Sequence, residues 1–87
     1  MTLAEEIGEA IKSNKIIIGY RESLKSLKTS SPEKIVVASN APENLRKEIE
    51  HNSKVAETQL EIFEGSSKDL GVVCGKPFPI TVLIIKK

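Results

Sequence analysis

Three short apolar runs constrain this chain more than any other feature: Ile16-Ile17-Ile18, Ile35-Val36-Val37-Ala38 and Ile80-Thr81-Val82-Leu83-Ile84-Ile85. They are rich in β-branched residues and too short to be helices, so they are predicted as strands. Helical patterns separate them. Leu3, Ile7, Ala10 and Ile11 recur at helical spacing behind Thr2 and Glu5, which fit a capping box, and Ser13-Asn14 closes that helix. Tyr20, Leu24 and Leu27 form a second stripe, broken by Thr29-Ser30-Ser31-Pro32. Asn40-Ala41-Pro42-Glu43 opens a third helix, with Pro42 in its first turn and Asn40 or Ala41 as its N-cap. Leu45, Ile49 and Ala56 take the inner face of that helix. A fourth begins at a second capping box, Ser66 with Asp69, and stops at Gly75.

Leu60-Glu61-Ile62-Phe63 alternates and reads as a half-exposed fourth strand. The order is then α-β-α-β-α-β-α-β. Strands that alternate with helices need crossover connections, which put helices on both faces of a sheet. The prediction is an α/β fold, a three-layer α-β-α sandwich with a mixed sheet of about four strands, forming a single domain over residues 1–87. The runs at Ile16 and Ile35, apolar throughout, are expected at the centre of the sheet. The alternating strand is expected at an edge.

Composition excludes several function classes. A hydrophobic fraction of 39% with 29% charged residues suits a globular domain rather than a disordered one. The single cysteine, Cys74, cannot form an internal disulfide. The N-terminal residues lack the basic and apolar regions of a signal peptide, and the apolar runs are too short to cross a bilayer, so the cytoplasm is the expected location. A metal site needs clustered ligands, and this chain has one Cys and one His. His51 reads as a solvated or half-buried histidine, and Cys74 as a small core hydrophobe. Glycines 65, 71 and 75 match no phosphate-loop fingerprint. Gly71 fits close packing of a helix. Glu48/Glu50 and Glu61/Glu64 read as solvated faces. No catalytic residue, cofactor or small-molecule substrate is implied.

The net charge of +1 conceals segregation. Residues 12–34 carry six bases against two acids, and residues 65–87 carry four bases against one acid. Residues 43–64 carry six acids against three bases. One face can thus be basic enough to take phosphate, although charge alone favours ordinary solvated surface.

The informative segments follow strands, where ligands of open α/β sheets bind. Gly19-Tyr20-Arg21-Glu22 joins a helix N-terminus, whose free amides suit phosphate, to a guanidinium fork suited to phosphate or guanine edges. Asn40 follows the second strand with an amide that donates and accepts. Lys76-Pro77-Phe78-Pro79 is a stiff loop presenting one of three aromatic residues, on which a base can stack. Each has a plainer explanation: Gly19 starts a helix, Asn40 caps one, Phe78 folds over the core. Their common location at one predicted sheet edge is what favours RNA.

Four ordered blocks carry a resemblance. Gly19-Tyr20-Arg21-Glu22-Ser23-Leu24-Lys25, Ile35 through Pro42, Leu45-Arg46-Lys47-Glu48-Ile49-Glu50 and Leu70-Gly71-Val72-Val73-Cys74-Gly75-Lys76 are similar to the L-thirty-e family of large-subunit ribosomal proteins, within the kink-turn-binding superfamily. The resemblance implies the same sandwich and a structural role on a kink-turn of ribosomal RNA, among other large-subunit proteins. It implies that Gly19, Tyr20, Arg21 and Glu22 enter the widened groove and that Lys25 reaches a phosphate. It also implies that Asn40 and Arg46 contact RNA, and that Phe78 and Ile80 lie against extruded bases. Two alternatives stay open: a stand-alone kink-turn binder in a small ribonucleoprotein, and a protein–protein module of the same fold.

Overall fold

A computed structural model describes residues 2–29 and 32–86. The element order is the expected one: α1 (Leu3–Lys12), β1 (Ile16–Ile18), α2 (Tyr20–Thr29), β2 (Lys34–Ala38), α3 (Glu43–Val55), β3 (Gln59–Phe63), α4 (Ser67–Val73) and β4 (Val82–Ile85). The Ser30-Ser31 part of the expected break and the terminal Lys87 lie outside the described residues.

The strands form one mixed sheet in the order β1-β4-β2-β3. β4 runs antiparallel to both β1 and β2, and β2 runs parallel to β3. Strand faces alternate, so the sheet buries two sets of side chains. Val36, Leu83 and Ile85 face α1 and α4 through Ile7, Ala10 and Leu70. Ile35, Val37, Val82 and Ile84 face α2 and α3 through Leu27 and Ile49. These are the three layers.

Two expectations need correction. β1 is an edge strand, although it is apolar throughout; β4 and β2 hold the centre. Ile16 and Ile18 pack toward α1 and Ile17 packs toward α2, so the run is apolar because both its faces are covered. Continuous apolarity reports coverage of the two faces and says nothing of the strand's place in the lateral order. The alternating β3 is at the other edge, as expected. The second correction is the start of α3. Its N-cap is Pro42, with no side-chain cap bond, rather than Asn40 or Ala41.

The other ends follow the sequence. Thr2 Oγ1 accepts the Glu5 amide at 3.2 Å. Ser66 and Asp69 form the reciprocal capping box. Asn14, at φ 56°, closes α1 by sending the Lys15 N–H back to the Ala10 carbonyl, and Gly75, at φ 70°, closes α4 by sending the Lys76 N–H to Gly71. Among the described residues no helix is long and apolar enough to cross a membrane.

Candidate nucleic-acid interface

Because β1, β2 and β3 run one way and β4 the other, the C-terminal ends of the first three and the N-terminal end of β4 meet at one end of the sheet. The loops at Gly19, Asn40, Gly65 and Phe78 converge there. A chain of hydrogen bonds ties them together. Gly19 donates its N–H to the Val82 carbonyl at 3.1 Å, and Ala38 donates to Thr81 at 2.8 Å. Ser39 donates to the Gly65 carbonyl twice, from its amide at 3.1 Å and its hydroxyl at 2.7 Å. Ile80 donates to Ser67 at 2.9 Å. The loops are therefore held in fixed relation before any ligand arrives.

Gly19 turns the chain from β1 into α2 at φ +112°, which an L side chain rarely adopts. Its carbonyl accepts the Ser23 amide at 3.0 Å, the first bond of α2. The amides of Tyr20, Arg21 and Glu22 precede that bond and have no acceptor within the helix. Arg21, Glu22 and Lys25 are exposed. The ion pairs among the described residues use Lys34 and Lys47, so Arg21 and Lys25 enter none of them. The Tyr20 hydroxyl donates to Glu48 on α3, and this bond pushes the phenol up to about 12. Glu48, expected to be simply solvated, is thus the anchor of Tyr20.

Asn40 Oδ1 accepts the Ser67 amide at 2.8 Å, at the start of α4. A backbone N–H can only donate, so the oxygen of Asn40 must be the atom facing it. The Nδ2 group is left without a protein acceptor among the described residues. This bond also explains why Asn40 does not cap α3. Arg46 lies half-buried in the first turn of α3.

Phe78 is 50% exposed, an unusual position for a large aromatic ring. Its loop is pinned by Gly71: a Cβ there would stand 2.2 Å from the Phe78 carbonyl oxygen. Ile80 differs from its neighbours, since it is 2% exposed and packs with Leu70 and Leu83. Its side chain belongs to the core beneath Phe78 and has no free surface to offer a base. Nucleophilic chemistry has no support at this end: Cys74 is buried, and burial pushes its thiol up. Among the described residues no three His, Cys, Asp or Glu side chains are grouped to hold a metal.

Ser39, Glu48 and the Ser67 amide were not foreseen. They act through partners distant in sequence, and no local pattern marks them. The alternation of elements implied a common end for the loops after β1, β2 and β3; the Phe78 loop joins them because β4 runs antiparallel, a direction the alternation did not give.

The chain matches the "Ribosomal protein L7Ae/L30e/S12e/Gadd45 family" over residues 1–87. The chain belongs to this family. Its relatives include the protein named "Large ribosomal subunit protein eL30" of Methanosphaera stadtmanae, 38% identical over 100% of this chain and 89% of the relative. The protein of the same name from Pyrobaculum calidifontis is 39% identical over 95% of this chain and 82% of its own length. Among solved structures, the "Giardia lamblia 15.5kD RNA binding protein" superposes with a TM-score of 0.88, covering 98% of this chain and 71% of that one at 22% identity. A protein of unknown function from Bacillus halodurans C gives 0.87 at 17% identity, covering 97% and 83%. The structural likenesses show that these two proteins share the three-layer fold.

Proposed function

We infer that this protein is a structural constituent of the large ribosomal subunit that binds a kink-turn in ribosomal RNA, with no catalytic role. The observation that carries the reading is the convergence of unpaired donors and one exposed ring at a single pre-assembled end of the sheet, in a chain whose relatives are large-subunit proteins. The free amides of α2, Arg21 and Lys25 would take phosphates, and Asn40 Nδ2 a base edge. Glu22 would accept from an exposed amino group, Phe78 would stack on an unstacked base, and Arg46 would reach the backbone from α3. Gly19 and Tyr20 would shape the entry, and Ile80 would support the Phe78 loop from below. The working location is then the cytoplasmic ribosome, beside other large-subunit proteins.

Binding such a site lowers the free energy of the bent RNA. Phosphate contacts supply affinity that falls with salt, and base edges and shape supply specificity. Titration against a short kink-turn RNA and the same RNA with its G·A pairs replaced, at fixed salt, tests the reading. Tight binding to the first and weak binding to the second is expected. Equal, salt-sensitive binding to both would reduce this end of the molecule to a merely basic surface.

A further inference from the structure

The side edge of the sheet at β3 is open. β3 pairs only with β2, through five consecutive residue pairs from Lys34–Gln59 to Ala38–Phe63. Its other edge meets no strand among the described residues. Natural sheets guard such edges with lysine, proline, a bulge or a very short strand. β3 has none of these: it is Gln59-Leu60-Glu61-Ile62-Phe63, and its register is unbroken. Ile62 is 41% exposed on it, and Val55, near the end of the neighbouring α3, is 73% exposed.

The strand and its flanking turns are acidic, although Lys34 of β2 and Lys54 at the end of α3 lie nearby. Residues 57–64 carry Glu57, Glu61 and Glu64 and no base. RNA is therefore the wrong occupant. A second copy of this chain is also disfavoured, because pairing β3 with β3 would bring Glu57 and Glu64 of one copy toward those of the other with no added base.

We propose that the β3 edge receives an extended basic segment of another protein, which adds a fifth strand to the sheet. Main-chain hydrogen bonds would supply the pairing, alternate apolar residues of the guest would cover Ile62, and its lysines or arginines would meet Glu57 and Glu64. Glu61 is the weaker partner, since it already lies 3.4 Å from Lys34. The surface is lateral to the loop end, so it can be occupied with or without RNA.

The probe is a peptide of alternating lysine and valine, with a control N-methylated at alternate amides along one edge. Amide spectra of the full-length protein would follow both. The expected result is that shifts and slowed amide exchange concentrate on Gln59–Phe63 with the first peptide. The control should bind about tenfold more weakly or not at all, because it lacks the donors. Ile62→Lys, an exposed change that leaves the core intact, should weaken the first peptide about tenfold and leave kink-turn RNA affinity unchanged. No binding, binding centred elsewhere, equal binding of the N-methylated control, or self-association of the protein through β3 would each overturn the proposal.

Discussion

The two ends of the sheet use charge in opposite ways. At the end where β2 and β3 begin, a cleft of about 390 Å³ is lined by Glu6, Glu9, Lys15, Glu33, Lys34 and neighbouring residues. Lys34, only 8% exposed, donates there to Glu6 at 2.6 Å and approaches Glu61 at 3.4 Å. Its charge is neutralised within the fold, linking α1 to β2 and β3. At the loop end, Arg21 and Lys25 are exposed and enter no ion pair among the described residues, where Asn40 is anchored by its oxygen alone. A group already satisfied inside the fold has little to offer a ligand, whereas a fixed and unsatisfied one has its donors available. The comparison separates residues expected to govern stability from residues expected to govern binding.

The sharpest break is Gly71→Ala, because it affects both. The added methyl overlaps the Phe78 carbonyl, and backbone cannot yield as a flexible side chain would. The loop must move away from α4, at a cost of about 3 kcal/mol. A lowered denaturant midpoint is expected, together with weaker kink-turn binding as Phe78 leaves its position. Unchanged stability would mean that the loop is not pinned at Gly71.

Arg21→Ala comes next and should act on binding alone. A loss of about 1–3 kcal/mol of RNA affinity is expected, with the unfolding midpoint unchanged. Lys28→Ala, in the last turn of α2 and away from the loop end, should cost little. Equal losses from the two would mean that affinity comes from net charge and not from the loop.

How far these roles were legible in the sequence depends on how local they are. The elements, the caps at Thr2 and Ser66 and the stops at Asn14 and Gly75 all rest on neighbours within a few residues, and all were readable. The lateral position of β1 was not, because an edge strand covered on both faces by α1 and α2 has the same apolar run as a central one. Asn40 is polar and well placed in the sequence, but its partner is 27 residues away, so nothing nearby shows that it holds α4 rather than capping α3. In the sequence Lys34 is only one more base in a basic segment; its burial against Glu6 arises from folding α1 under β2.

At the opposite end, Lys34→Ala should lower stability and leave RNA affinity unchanged. Removing the ammonium leaves Glu6 and Glu61 close together without their shared partner. Because both acids are about a third exposed, water offsets part of that loss, and about 1–2 kcal/mol is expected. The bond that the ammonium donates to Glu6 holds it above its ordinary 10.5 despite burial. A raised lysine contributes stability that is complete below 10.5 and is lost as pH climbs through the higher folded value. Alkaline unfolding curves of the wild type and the variant should therefore converge above that point.

The smallest effect lies at Tyr20, and it can be isolated because the chain has no other tyrosine. Its neutral hydroxyl donates to Glu48, so the fold favours the protonated phenol and raises it from 10 to about 12. The stabilisation is therefore complete below pH 10 and disappears between pH 10 and about 12. Lys34 loses its contribution in an overlapping range, so an alkaline melt alone cannot separate the two ends of the sheet. Absorbance of the phenolate can, since it reports Tyr20 only. The midpoint should lie near 12 in the wild type and in Lys34→Ala, and fall toward 10 in Glu48→Gln. A wild-type midpoint at 10 would mean that Tyr20 is free of Glu48, and that the entry to the loop end is not braced by α3.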